Sequence, residues 1–443
     1  MPLGLYISVP FCRTKCSYCN FASDVFSKSA YENYVARLLE DVANSRQFVS
    51  QLGCALEETA DSIYLGGGTP SILDTSQLLC IFAAVRGQFA VTPDAEITVE
   101  CAPGTLTPAL IETLLQCGVN RVSLGVQSFV DREAQSVGRL HKRTTVLEEI
   151  GRLREAGLGN INIDLIAGLP HQTAESWAFS VSETIATGVP HVSIYMLEVD
   201  EDSRLGRELI AGGARYHAHF VPDDDATADF YQQACQMLAS AGIAQYEISN
   251  FARTALQLQN NEPHKNESRH NLKYWTRQPY LGFGVDAHSM LFTDRRETDC
   301  REPDRYQAVR FASPDSLDAY MNRAPHTLTP VSAQAAMEES FFLGLRLNRG
   351  IDLESRFGEA HDFSRATSAE ATAALAAEAS RAPQQDAVAL WESAIKQCIH
   401  EGLLEQQGAT VRLTGRGRLL SNEVFARFLI EETKVGTGHV NPR

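Results

Sequence analysis

Residues Leu5–Phe21 read LYISVPFCRTKCSYCNF, an apolar strand-like run that leads into three closely spaced cysteines. Cys12, Cys16 and Cys19 have the spacing C-x3-C-x2-C. Thiolates are soft ligands for iron–sulfur clusters and for zinc. A four-iron cluster normally takes four cysteines, so three on one short loop leave one iron open to an exchangeable ligand. A zinc site needs a fourth ligand nearby, and no usual one is present, so the spacing favours the cluster.

The chain around this loop alternates between strand-like and helix-like segments. The sequence predicts six strands, each followed by a helical stretch, at Leu3–Val9, Ser62–Leu65, Glu96–Glu100, Arg121–Val126, Asn160–Ile166 and Val192–Leu197. Repeated strand–helix units are typical of an α/β fold with a parallel sheet.

Three successive strands have one apolar and one polar face. The polar positions are Glu96, Thr98, Glu100, Arg121, Ser123, Gly125, Gln127, Asn160, Asn162 and Asp164. A closed eight-stranded barrel fills its interior with apolar side chains, and a doubly wound sheet is apolar on both faces. The pattern therefore predicts a partial (β/α)6 TIM-like barrel whose polar faces line an open cavity. A sheet with one solvated face is the alternative.

Composition restricts the function classes. The 443 residues are 44% hydrophobic and 21% charged, as in soluble globular proteins. With 55 acidic and 39 basic residues the net charge is −16, which argues against nucleic acid as a partner and limits membrane contact to a peripheral one. No apolar run reaches the roughly 20 residues of a membrane span. No signal peptide is recognisable, and ten cysteines are too sparse for a disulfide scaffold. We therefore expect a cytoplasmic protein.

The chain divides into three expected parts: the partial barrel over residues 1–250, a connecting segment over 251–325, and a C-terminal α+β domain over 326–443. In the last part, a helix at Trp391–Glu401, a hairpin around Gly408 and a further helix resemble a winged-helix module. That module often binds DNA, but fold does not fix function. An Ala-rich segment at 366–382 is predicted as a low-complexity helix or a flexible insertion.

Four motifs carry a resemblance to a known family. The first is the cysteine segment; the others are YLGGGTPS at Tyr64–Ser71, RVSLGVQSF at Arg121–Phe129 and IDLIAGLP at Ile163–Pro170. The spacing of the cysteines after the first strand resembles the radical S-adenosylmethionine (SAM) superfamily. Together the motifs resemble the oxygen-independent coproporphyrinogen III oxidases and their HemW-type relatives, over nearly all of the chain.

The resemblance implies cofactors and contacts. It implies a [4Fe-4S] cluster on the three cysteines, whose open iron binds the amino and carboxylate groups of SAM. The residues that match SAM contacts in such relatives are Tyr6, Tyr18, Gly67, Gly68, Thr69, Glu100, Gln127, Arg139 and Asp164. Glycines allow backbone to approach a ligand closely, and Glu100, Gln127 and Asp164 already belong to the polar strand faces.

Two departures from the oxidases separate the subfamilies. The oxidases have a fourth cysteine two residues after the third, where this chain has Phe21. They also have an extension of dozens of residues before the cluster, whereas eleven residues precede Cys12.

A last motif, RHNLKYW at Arg269–Trp275, resembles the H-N-x-x-Y-W motif of HemW-type heme chaperones. Histidine is a common axial ligand of heme iron, so His270 is the candidate heme ligand. Tyr274 and Trp275 offer flat apolar contact to a porphyrin. The alternative is a hydrogen-bonded structural histidine with core aromatics. His288 is a second ligand candidate.

The resemblance implies a heme chaperone that binds heme and transfers it to an acceptor protein, for which a respiratory hemoprotein is one candidate. The alternative is a coproporphyrinogen III oxidase, an enzyme in which a SAM-derived radical starts decarboxylation of substrate propionates. A different radical SAM enzyme and a zinc-binding structural protein are further alternatives. The sequence leaves open whether SAM is cleaved, and whether the protein is a monomer or a dimer.

Overall fold

The computed structural model describes residues 1–254, 264–294, 306–355 and 378–430. The chain forms two compact units, Met1–Ser332 and Ala333–Arg443. The predicted division at residues 250 and 325 stays a prediction.

The first unit begins with the predicted strand–helix alternation. Its elements are β1 (Leu3–Val9), α1 (Lys28–Gln51), β2 (Thr59–Gly67), α2 (Thr75–Gln88), β3 (Ala90–Cys101), α3 (Pro108–Gln116), β4 (Arg121–Gln127), α4 (Asp131–Ser136), α5 (Arg143–Glu155), β5 (Ile161–Ala167), α6 (Ala174–Thr187) and β6 (His191–Met196). Strands β1 to β6 pair in chain order, and every pair is parallel. This confirms the α/β fold class, and the six strands are those of the predicted partial barrel.

The sheet continues beyond both edge strands of this core. The further elements of the unit are α7 (Arg204–Ala211), α8 (Asp224–Ser240), β7 (Ile243–Gln245), β8 (Asn250–Arg253), α9 (Arg269–Trp275), β9 (Tyr280–Gly284), β10 (His288–Phe292), β11 (Ala308–Ala312), α10 (Leu317–Met321) and β12 (Thr327–Val331). Strand β9 pairs in parallel with β1, followed by antiparallel β10, β11 and β12, while β8 and β7 extend from β6. An unclosed barrel has two edges with unpaired backbone groups, and these strands satisfy them.

The two faces of the central strands are both buried, but with different residues. Val99, Leu124 and Ile163 on the apolar face are fully buried. On the polar face, Thr98 and Ser123 are 0% and 2% exposed. The polar face is therefore interior rather than solvated, which decides between the two alternatives that the alternating pattern leaves open.

The second unit contains the predicted helix, hairpin and helix. Its elements are α11 (Ala333–Gly344), β13 (Ile351–Asp352), α12 (Glu378–His400), β14 (Leu404–Gln407), β15 (Thr410–Leu413), α13 (Gly415–Leu419) and α14 (Ser421–Ala426). The strands form an antiparallel sheet in the order β13-β15-β14. Phe341 stacks on Phe428 at 5.1 Å between ring centroids, and Trp391 Nε1 donates to the Phe428 carbonyl. The Ala-rich segment lies outside the described residues as far as residue 377.

Within the described ranges, no helix combines the length and the hydropathy needed to cross a bilayer.

Candidate functional site

A cavity of about 350 Å³ opens on the polar face of the sheet, beside the cysteine loop. The size falls in the usual range for small-molecule sites. All three cysteines and Tyr18 line it, and so do the other predicted site residues Gly67, Gly68, Thr69, Glu100, Gln127, Arg139 and Asp164. Tyr6 and His270 are not among the lining residues. The structure therefore brings predicted site residues from Cys12 to Asp164 together around one cavity.

The cysteine loop is fixed by backbone hydrogen bonds to distant segments. Cys12 N donates to the Asp24 carbonyl at 3.0 Å, and Ser17 N donates to the Val137 carbonyl at 3.1 Å. Leu205 N, in α7, donates back to the Ser17 carbonyl at 2.8 Å. The loop is therefore held at its base, at the end of α4 and at α7, which orders the chain on both sides of Cys16.

The three thiols are free, and no three His, Cys, Asp or Glu side chains in the described part of the chain are grouped around one metal ion. A four-iron cluster has no such requirement, because each thiolate binds a different iron. Burial raises the pKa of the Cys12 and Cys19 thiols. A bound metal reverses that effect, because a coordinated thiol loses its proton.

The glycine motif at the end of β2 contacts the cysteine loop. Gly68 N donates to the Val9 carbonyl at 2.8 Å, and Thr69 N donates to the Phe11 carbonyl at 2.7 Å. A Cβ at Gly68 would lie 2.6 Å from the Phe11 oxygen. These glycines are therefore required by chain packing against β1 and the loop, a reason that the sequence alone did not reveal.

Two half-buried carboxyl groups, those of Glu100 and Asp164, lie on neighbouring parts of the cavity wall. Glu100 accepts a hydrogen bond from the Tyr64 hydroxyl at 2.7 Å, and burial raises its pKa to about 7. Asp164 accepts hydrogen bonds from Ser123 Oγ at 3.0 Å and Asn162 Nδ2 at 2.7 Å. Burial raises its pKa as well, although these hydrogen bonds oppose the shift. A cationic ligand would favour the charged form of both groups.

Arg139 and Gln127 connect the cavity wall to the cysteine loop. The Arg139 guanidinium donates to the Gly125 carbonyl and to Cys16 Sγ, the latter at 3.7 Å. Gln127 has a φ of 68°, unusual for a non-glycine residue, and its buried Oε1 has no hydrogen-bond partner among the described residues. Such backbone strain and unpaired polar atoms are found at ligand sites.

The residues present therefore fit a cluster with a polar ligand beside it. Soft thiolates lie at one end of the cavity, and half-buried carboxyls lie along its wall. The buried Gln127 Oε1 accepts no hydrogen bond from any described residue. The buried Nε of Arg121, another lining residue, also lacks a partner in the described part of the chain. Sequence reasoning put Arg121 on the polar face but did not select it as a site residue.

His270 and Tyr6 lie deeper in the barrel, around Tyr64. The ring centroids of His270 and Tyr64 are 5.3 Å apart, and those of Tyr6 and Tyr64 are 6.2 Å apart. His270 is 1% exposed; its Nδ1 lies 3.0 Å from Ser62 Oγ and its Nε2 lies 2.8 Å from the Tyr274 hydroxyl. Burial lowers its pKa to about 3. Both ring nitrogens are thus hydrogen-bonded in a neutral imidazole.

Helix α9, which carries His270, is anchored at the start of the strands. Backbone N–H groups of Arg269 and His270 donate to the Glu96 carboxylate, each at 3.1 Å. Lys273 is buried and pairs with Asp61 at 2.7 Å. A Cβ at Gly4 would lie 3.4 Å from His270 Cε1. His270 therefore belongs to the opposite end of β1 from the cysteine loop, on the order of 17 Å away along the strand.

Comparison with known proteins adds to this geometry. Residues 6–181 match the model of the radical SAM superfamily. A heme chaperone HemW from Bacillus subtilis (strain 168) is 31% identical over 427 residues, which are 96% of this chain and 99% of that protein. A heme chaperone HemW from Escherichia coli (strain K12) is 32% identical over 73% of this chain and 82% of that protein.

Among solved structures, coproporphyrinogen III oxidase (HemN) from Escherichia coli, a radical SAM enzyme, has a TM-score of 0.74 at 20% sequence identity. The match covers 96% of this chain and 90% of that chain. At this identity the match establishes the fold alone. The sequence identity to the Bacillus subtilis protein extends over nearly the whole of both chains, and the chain therefore belongs to the HemW family of the radical SAM superfamily.

Proposed function

We propose that this protein is a heme chaperone, which binds heme and hands it to an acceptor protein. The observation that carries the proposal is a sequence identity of 31%, over 96% of the chain, to a relative named heme chaperone HemW. The cavity beside the three cysteines supports the cofactors that the radical SAM superfamily implies, a [4Fe-4S] cluster and SAM. Whether SAM is cleaved or only held is a separate question that an assay of its products answers.

Cys12, Cys16 and Cys19 would hold the cluster. When bound, such a cluster presents one iron to the amino and carboxylate groups of SAM and can supply one electron. Arg139 sets the environment of the second cysteine, because its guanidinium donates to Cys16 Sγ. Thr69 sets the environment of Cys12 in the same way, because its hydroxyl donates to Cys12 Sγ at 3.8 Å. Hydrogen bonds to cluster sulfurs tune the reduction potential.

Glu100, Gln127 and Asp164 would bind the polar groups of SAM. Their positions on the wall support this role, since each lines the same cavity as the cysteines. Glu100 and Asp164 would stabilise the positive charge that SAM carries, and Gln127 Oε1 would gain a donor. Tyr18 packs against the apolar cluster of Val137, Ile166 and Leu169 and would supply an apolar wall. Tyr6 would act through Tyr64, its neighbour.

His270 is the heme ligand that the motif suggests. Ligation there would require the ring to give up its hydrogen bond to Ser62 or the one to Tyr274. The helix would also have to open, because the side chain is buried. His288, 69% exposed and 3.6 Å from Asp286, is the second candidate from the sequence.

The acceptor would be another hemoprotein, with a respiratory hemoprotein as one candidate. We place the exchange in the cytoplasm, where glutathione and thioredoxin keep thiols reduced and three ligand cysteines stay available. The net charge of −16 supports a protein partner rather than nucleic acid.

The experiment is an anaerobic comparison of the two leading functions. Cluster-reconstituted protein is mixed with heme, and separately with coproporphyrinogen III, SAM and a reductant. We expect a stable heme spectrum after gel filtration and no mass loss from coproporphyrinogen. Decarboxylated product would support the oxidase instead, and absence of heme binding would refute the chaperone.

A further inference from the structure

A second cavity, of about 340 Å³, lies between α1 and strands β9 and β11. Its volume is in the range of small-molecule sites. No residue lines both this cavity and the one beside the cysteines. The side chains used below come from α1 (Arg37 and Phe48), from β11 (Phe311) and from the turn before β12 (Arg323 and His326).

His326 presents an imidazole in this cavity. The ring is half-buried, and no residue in the described part of the chain hydrogen-bonds to either of its nitrogens. Burial lowers the pKa of His326, which keeps the ring neutral near pH 7. A neutral imidazole has one nitrogen lone pair that can bind a metal ion. His270 differs, because neighbours already occupy both of its nitrogens.

Two phenylalanine rings pack beside that imidazole and against each other. The His326 ring centroid lies 4.7 Å from that of Phe48 and 6.1 Å from that of Phe311. The two phenylalanine rings meet edge to face at 5.5 Å. Aromatic faces of this kind favour contact with another flat π-system.

Arginines stand at the same cavity. Arg323 donates to Glu40 at 2.5 Å, and the two side chains are 61% and 52% exposed. An exposed pair of this kind contributes little to stability, so the guanidinium can turn to another carboxylate at little cost. Arg37 pairs with Asp41, while its buried Nε has no partner among the described residues. Asp41 is also engaged by the Tyr320 hydroxyl.

We propose that this second cavity is a heme site, in which His326 binds the iron, Phe48 and Phe311 contact the macrocycle, and Arg323 pairs with a propionate. The inference rests on the proposed heme-binding function and assigns the axial ligand to a cavity outside the RHNLKYW motif. Heme and SAM would then bind in different cavities, because the cavity beside the cysteines shares no lining residue with the second cavity. An accessible imidazole, flat apolar walls and guanidinium groups together match the iron, the ring and the carboxylates of heme.

The test is a heme titration of the cluster-reconstituted full chain under anaerobic conditions. Each Soret spectrum is recorded as a difference from the same protein without heme. The variants are His326→Ala, His270→Ala and Arg323→Gln, with the exposed His400→Ala as the matched control. Circular dichroism and cluster content show whether each variant is folded. Free imidazole is then added to His326→Ala, because it can enter the space left by the side chain and restore ligation.

We expect His326→Ala to bind heme at least about tenfold more weakly, by comparison with the loss seen when metal sites are perturbed. Its Soret band should shift, and imidazole should restore the native spectrum. Arg323→Gln should bind a fewfold more weakly with an unchanged spectrum, and His400→Ala should match the native protein. Native heme binding that His326→Ala leaves unchanged would overturn this inference but not the proposed function. Failure of the native protein to bind heme would refute both.

Discussion

Thr69 Oγ1 donates a hydrogen bond to Cys12 Sγ at 3.8 Å, which joins the glycine motif to the first cysteine of the cluster loop. The backbone N–H of Thr69 also donates to the Phe11 carbonyl at 2.7 Å. The end of β2 therefore positions the loop at its first ligand. Cys12 and Thr69 are 57 residues apart in the sequence, yet the two motifs form one structural unit.

Gly68→Ala should impair cluster loading. The new Cβ would lie 2.6 Å from the Phe11 oxygen and 2.8 Å from the Val9 oxygen, and both are backbone atoms that cannot move aside cheaply. Iron and sulfide per chain, measured after anaerobic reconstitution, should fall well below the native value. Gly87→Ala is the matched control, because nothing lies within 4 Å of a Cβ there and alanine favours a helix. Equal loading of both variants would show that β2 does not constrain the loop.

Replacing Cys12, Cys16 or Cys19 by Ser should abolish the iron–sulfur absorption. Serine is a poor ligand for iron in such clusters, because soft thiolate is the preferred donor. Cys117→Ser and Cys235→Ser should keep the absorption, because neither thiol lines the cavity. Anaerobic protein that contains one tightly bound zinc per chain, and no iron, would refute the cluster.

SAM affinity should depend on pH through Glu100. Its pKa of about 7 in the folded protein means that it is partly protonated near neutrality, while a positively charged ligand prefers the ionised form. Binding therefore releases a proton below pH 7, and affinity should fall by up to about tenfold for each pH unit below that value. Isothermal titration at several pH values measures this slope.

Glu100→Gln should flatten that pH profile and weaken binding at pH 8, where native Glu100 is ionised. Exposed Glu112→Gln should behave as the native protein. A native profile that stays flat across pH 7, or a variant profile as steep as the native one, would show that Glu100 does not meet the charge of SAM.

Asp164→Ala should lower SAM affinity while cluster content stays near normal. A hydrogen bond to a charged group contributes about 1.5–3 kcal/mol, which corresponds to roughly tenfold to a hundredfold in the dissociation constant. Asn162 and Ser123 would also lose their acceptor, so Asp164→Asn is the variant that best keeps the local hydrogen bonds. Unchanged affinity in both variants would remove Asp164 from the SAM site.

The alternation of residues on the strands was enough to predict the cavity wall. Glu100, Gln127 and Asp164 lie on polar strand faces by pattern, and the structure has all three lining the cavity. The alternation depends only on the period of two in a strand, which local sequence determines. The glycine contacts could not be predicted in this way, because they depend on how closely β2 approaches the Phe11 carbonyl.

The hydrogen-bond partners of His270 could not be predicted from the sequence either. Its motif resembles a heme-binding one, but its hydrogen-bond partner Ser62 lies on β2, more than 200 residues earlier. Likewise, β9 pairs in parallel with β1 although the two strands are far apart in the sequence. A strand as short as Tyr280–Gly284 has too few residues for its pattern to predict that pairing. Pairings between distant segments are set by tertiary packing rather than by local pattern.

Transfer of heme to an acceptor distinguishes a heme chaperone from a protein that only binds heme. Cluster-reconstituted protein is loaded with heme, freed of unbound heme by gel filtration, and mixed with the heme-free form of a b-type respiratory cytochrome in the presence of albumin as a heme trap. We expect the cytochrome spectrum to appear faster than it does when free heme is supplied under the same conditions. Heme that stays on the protein, or that reaches the cytochrome no faster than free heme does, would contradict a chaperone function.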